Sequence, residues 1–187
     1  MRYVLITLFL AMSLGAPAWA QESRTDTRHA LDFFLGVWRT EGGIPLEDGS
    51  WSRNSGVLTG ERAFRGSDTP SVMVRTQSVP DSADTGSPFD IRYFEDITLY
   101  VLEPSSGEWR GISHNTLGNR KWRDVTISEG SVSFIQRGEL FQVDQGEVRF
   151  TYSNITADRF EMRVDYRPDT ESDWQIGTYR MTATRIG

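Results

Sequence analysis

The chain has no cysteine. That absence excludes a disulfide framework, lipid attachment at a lipobox cysteine and any thiolate centre for zinc or copper. Histidine is scarce as well. His29 and His114 stand alone, with no second imidazole at ligand spacing, so neither a metal nor a resident cofactor is expected. Lysine occurs once, at Lys121, and arginine supplies the remaining positive charge. Against 20 basic residues stand 26 acidic ones, for a formal charge of −6, and no basic run occurs. Nucleic acid and anionic membrane surfaces need clustered positive charge, so both are excluded as expected partners. No glycine loop of phosphate-cradling type precedes a helix, and no Gly-x-Ser-x-Gly elbow is present.

Only one stretch is long and apolar, and it lies at the N-terminus. Arg2 supplies a positive start, Tyr3 to Leu14 are mostly apolar, and Ala18-Trp19-Ala20 fits the small-x-small cleavage rule. The stretch is shorter than the roughly 20 residues of a spanning helix. Residues 1–20 therefore read as a signal peptide, cleaved near Ala20-Gln21, with no membrane insertion and a periplasmic or secreted destination. Arg2 is the one charged residue removed, which takes the formal charge to −7. Residues 21–27 read as a flexible N-terminus and 28–187 as a single domain. A domain of that length buries enough surface to stand without disulfides.

What is present is β-structure. After a short amphipathic helix over Arg28–Leu35, with Ala30, Leu31, Phe34 and Leu35 on its apolar side and Gly36 ending it, the period changes to two. Extended segments are expected at Val37–Glu41, Trp51–Thr59, Ala63–Phe64 and Ser71–Val79, with a polar loop at Pro80–Pro88. Ile97, Leu99 and Val101 share a face, and a Pro104–Gly107 turn leads to Glu108–Ser113 in a hairpin. Lys121–Ile127, Ser131–Gln136, Leu140–Val143 and Glu147–Ser153 follow, then a strand alternating Phe160, Met162, Val164 and Tyr166, and a last strand from Trp174 to Arg185. Eight to ten short antiparallel strands with no second helix predict an all-β sandwich or barrel. Closure into a single barrel is preferred because it removes exposed edges.

The opening Leu31–Gly43, with Leu35-Gly36-x-Trp38 at its centre, resembles the start of calycin barrels. With the Tyr100 to Trp109 hairpin and the closing Ala183-Thr184-Arg185, residues 28–187 are similar to bacterial lipocalin-like secreted proteins of unknown function, and more distantly to lipocalins and nitrobindin-like barrels. The loop Pro168–Trp174 lacks the glycine of that group, and Arg39-Thr40-Glu41-Gly42 lacks the middle glycine of the nitrobindin opening. The resemblance implies a lipocalin-like β-barrel that binds a small apolar molecule, and no reaction. It also implies that Gly36 and Trp38 close the barrel base with an arginine of the last strand, Arg185 or Arg180, stacked on the indole. A guanidinium over an indole is worth about 0.5–2 kcal/mol.

The aromatic residues are the ligand-site candidates. Tyr100, Trp109, Trp122 and Tyr152 are expected in the pocket, with His114 as a polar contact. The alternatives are a filled barrel acting as an interaction module, and an enzyme or haem binder using His114. No catalytic residue stands out. Ser113 and His114 are adjacent, so in a strand they point to opposite faces and cannot work together. Acidic neighbours such as Glu95-Asp96 are frequent by chance among so many carboxylates.

Overall fold

The structure, a computed structural model, describes residues 27–80, 94–116, 118–137 and 146–187, without the side chains at 80, 118–124 and 137. Ten antiparallel strands form one closed barrel: β1 Gly36–Gly43, β2 Asn54–Glu61, β3 Ser71–Pro80, β4 Phe94–Leu102, β5 Trp109–Asn115, β6 Gly118–Ser128, β7 Ser131–Arg137, β8 Glu147–Ser153, β9 Arg159–Arg167 and β10 Gln175–Arg185. Each strand pairs with its sequence neighbour, and β10 closes on β1 with Trp38 opposite Arg185. The expected segments Leu140–Val143 and most of Pro80–Pro88 lie outside the described residues.

The period-two pattern sets which side chains face inward. On β5, Trp109, Gly111, Ser113 and Asn115 are buried while Arg110, Ile112 and His114 are exposed. The same parity turns Tyr100 and Thr98 of β4, Phe134 and Gln136 of β7, Tyr152 of β8 and Phe160 of β9 to the interior.

Two local expectations change. The N-terminal helix is not α-helical but two 3₁₀ turns, Thr27–His29 and Asp32–Phe34. Its hydrogen bonds run three residues back, Ala30 N to Thr27 O and Phe34 N to Leu31 O, which aligns Leu31 and Phe34 on the one face that enters the barrel. Indole donors hold its carbonyls. Trp109 Nε1 donates to Thr27 O at 2.6 Å, and Trp38 Nε1 donates to Phe34 O at 3.0 Å. Leu35 then turns extended at ψ 130°, which ends the helix. Ala63–Phe64 is not a strand either. It belongs to a turn closed by Ser67 N donating to Phe64 O and Phe64 N donating to Ser71 Oγ.

The 3₁₀ turns plug one end of the barrel. Leu31 and Phe34 are fully buried against Trp38, Tyr100, Tyr152 and Phe160. A Cβ at Gly60 would collide with the Phe34 carbonyl, so the plug sits where β2 has no side chain. Gly36 turns into β1 at φ +116°, a region that side chains rarely adopt.

Candidate functional site

The plugged end is built from rings. Phe160 lies 4.9 Å from Trp38, 5.2 Å from Phe33 and 6.0 Å from Tyr152, and Phe134 lies 5.2 Å from Tyr100. Most of these pairs meet edge-on or tilted, the arrangement that the ring quadrupole favours. The Arg185 guanidinium stands 4.1 Å from the Trp38 ring centroid and donates to Leu35 O and Ala157 O at 2.9 and 2.6 Å. Arg180 lies instead over Trp51, at 5.1 Å. The base of the barrel is therefore a solid aromatic layer.

Above that layer the interior changes character. On β1 to β5 and β7 the next inward positions are Thr40, Asn54, Thr76 and Ser78, Asp96 and Thr98, Ser113 and Asn115, and Gln136. On β8 to β10 they stay apolar or aromatic, with Val148, Val164, Tyr166 and Tyr179. Thr76, Ser78 and Asp96 are half-buried although they face inward, so water reaches the barrel from this end. Thr98 Oγ1 and Asn115 Nδ2 donate to the Asp96 carboxylate at 2.6 and 3.1 Å. Tyr179 O–H donates to Asn54 Oδ1 at 3.1 Å, bridging β10 to β2.

At the boundary the Tyr100 and Tyr152 hydroxyls hydrogen-bond one another. Burial, reinforced for each by the negative charge of Asp96, holds both phenols well above the ordinary tyrosine range. They are neutral donors at any physiological pH, not bases.

Four buried side-chain polar atoms among the described residues lack a hydrogen-bond partner: Asp32 Oδ1, Arg163 Nε, Ser113 Oγ and Gln136 Oε1. The first two belong to groups whose charge is already matched, Asp32 by Arg62 at 2.7 Å and Arg163 by Asp165 at 2.9 Å. The other two have no such account. Ser113 is 0% exposed and Gln136 2%, and both face the polar half of the interior. An unpaired buried polar atom costs about 1–3 kcal/mol, and such groups are rare enough that each calls for a reason.

The residues singled out from the sequence divide. Tyr100, Trp109 and Tyr152 come together in and around the aromatic layer. Trp122 pairs in register with Gln136, and its side chain lies outside the described residues. His114 is on the outer face of β5, exposed and away from the others. No histidine occupies an inward position among the described residues, and no group of three metal-binding side chains occurs among them. Ser113 and Gln136 carried no sequence signal beyond their strand parity.

No family model and no curated protein sequence matches the chain. Solved structures do. The S-type phycobiliprotein lyase CPES of Guillardia theta is similar with a TM-score of 0.57 at 10% identity, covering 88% of this chain and 94% of that one. Two further barrels align less closely: a de novo designed fluorescence-activating β-barrel, TM-score 0.40 at 14% identity over 86% of this chain and 98% of its own, and EF1p2_mFAP2b bound to DFHBI, TM-score 0.44 at 10% identity over 86% and 99%. The likeness to the lyase is one of fold: a closed antiparallel barrel of the lipocalin-like kind.

Proposed function

We propose that the barrel binds a small molecule, largely apolar but carrying a polar group, in the half of its interior above the aromatic layer. In this reading residues 1–20 are a leader and the barrel works after export, in a periplasm or outside the cell. The observation that carries the proposal is the pair of buried, unpartnered atoms, Ser113 Oγ and Gln136 Oε1, inside an end of the barrel that water enters. A core selected for packing alone replaces such groups with apolar ones of the same shape, at no cost to stability. Retaining them makes sense where a ligand completes the hydrogen bonds. The hydroxyls of Tyr100 and Tyr152 form the floor of this site, and the reading involves no catalytic step.

Native mass spectrometry of gently purified protein, with its organic extract analysed alongside, tests the proposal. The expected result is an excess mass that is lost on denaturation and a compound in the extract that raises the melting temperature when added back. A bare polypeptide mass, with no extracted compound that stabilises the protein, overturns it.

One observation favours a second reading, an interaction module. Met73, Leu99 and Ile112 stand in one register row on the outer face of β3–β5, with Ile97 beside them, and Ile112 is 63% exposed. Contiguous exposed apolar surface of this kind commonly marks a contact site. If Ile112→Lys abolishes a biological activity while the extract is empty, the outer face is the working surface.

A further inference from the structure

Resting on the binding reading above, we infer that the occupant is a small aromatic molecule carrying an N–H or O–H donor, read by the Gln136 side-chain carbonyl and the Ser113 hydroxyl. Three features of the interior lead there. The first is polarity. Gln136 Oε1 can only accept a hydrogen bond, and Ser113 Oγ accepts as readily as it donates, so the groups missing from this site are donors. Neither atom has a described side chain to serve it, and both residues are almost wholly buried, so bulk water does not satisfy them.

The second feature is the floor. Gln136 is the next inward residue above Phe134 on β7, and Phe134 packs tilted on Tyr100 at 5.2 Å and edge-on to Tyr152 at 6.0 Å. A molecule resting on this layer meets ring faces and edges, where another aromatic ring gains quadrupole contacts beyond its burial. The third is height. From Tyr100 to Asp96 on β4 the strand rises four residues, roughly 13 Å, of which the Tyr100 ring takes part. That rise separates the ring layer from the level of Asp96, and the aromatic base stops an occupant from passing deeper into the barrel.

The matched probes indole and 1-methylindole isolate the donor, since they differ by a single N–H replaced with N–CH₃. Calorimetric titration of the full barrel domain with each should show indole binding about tenfold more tightly, the size of one hydrogen bond to an otherwise unpaired buried acceptor. In Gln136→Leu the preference should fall below about twofold, with the melting temperature equal to or above that of the unmodified protein. Ser113→Ala, which leaves the Gln136 carbonyl in place, should keep the preference, because indole carries a single N–H.

Equal affinity for the two probes in the unmodified protein overturns the inference and leaves the binding reading standing. So does recovery from the extract of an aliphatic ligand or one without a donor. Failure of both probes to bind, together with a bare mass in the native spectrum, overturns the inference and the binding reading together. Loss of preference accompanied by a large fall in melting temperature would show that Gln136 holds the fold rather than the ligand.

Discussion

The two ends of the barrel are held together by opposite means. At the base the support comes from inside: Phe33, Phe34, Trp38, Tyr152 and Phe160 fill the interior, and Arg185 caps the Trp38 indole. At the other end the support comes from outside. Asp165 of β9 faces outward yet is 0% exposed, accepting from Gly177 N at 2.8 Å and from Arg149 Nε and Nη2 at 3.0 and 2.8 Å. Arg163 adds a further ion pair to it, and Arg167 pairs with buried Glu147. Trp174 lies over this cluster with the Arg149 and Arg167 guanidiniums 4.3 and 4.6 Å from its ring. The bulge at Gly177, at φ +69°, lets β10 present its N–H to Asp165. The clasped strands keep apolar residues inward at that end, Val148 and Tyr166 among them, while the polar groups Thr98, Ser113, Asn115 and Gln136 stand inward on β4, β5 and β7. That arrangement suits a largely apolar molecule with a polar group.

The comparison is broken most forcefully at the base. Phe160 is fully buried and packs on four other rings. Phe160→Ala should cost about 3–5 kcal/mol, the range for a large aromatic truncated where its neighbours cannot collapse into the space. Denaturant unfolding followed by tryptophan fluorescence measures it. A cost below about 1 kcal/mol would mean that the ring layer is not what holds this end.

At the outer clasp the expected effect is smaller and depends on pH. Burial works to raise the Asp165 carboxyl, but the Gly177 N–H and the Arg149 and Arg163 guanidiniums outweigh it and hold it below the usual carboxylate range. A group whose folded-state pKa lies below its unfolded value stabilises the fold above the unfolded value, about 3.9 for aspartate, and that contribution fades as pH falls through the lowered folded value. Asp165→Asn keeps an acceptor for Gly177 but removes the charge. It should cost about 3 kcal/mol at neutral pH, and the difference between variant and parent should shrink as acid protonates the parent. Melting temperatures from pH 7 to pH 3 check this, and a pH-independent gap would show that the carboxylate charge does not matter.

Strand periodicity was the most legible part of the fold. Alternation in WRGISHN and in the segment from Phe160 to Tyr166 is clear because one face of each strand meets the interior. The 3₁₀ geometry of residues 27–34 is not legible, because it is set by how Leu31 and Phe34 seat in the barrel, with indole donors from Trp38 and from Trp109, the latter 82 residues away, holding the segment's carbonyls. The outer clasp was hidden for the same reason: Asp165 looks like one surface acid among 26 until Trp174 is folded over it. Large aromatics draw attention in a sequence because size predicts burial, and size is equally what fills a base. Ser113 and Gln136 differ from other serines and glutamines only in lacking partners, a property of the assembled barrel that no local pattern encodes.

The smallest effect separates the two ends most sharply, because its sign is reversed. Ser113 is completely buried with an unpaired hydroxyl among the described residues, so removing that hydroxyl relieves a desolvation cost and loses no hydrogen bond. Ser113→Ala also raises no steric problem, since alanine is the smaller residue and Gly111 and Asn115 flank it on the same face of β5. The variant should be more stable than the parent by up to about 1 kcal/mol, read as a higher denaturation midpoint with an unchanged slope. A comparable deletion at the base, where every buried atom is engaged in packing, can only destabilise. If Ser113→Ala instead lowers stability by more than about 1 kcal/mol, the hydroxyl is already satisfied in the folded protein. The polar end would then be a finished core like the aromatic one, and the asymmetry on which ligand binding is argued would be gone.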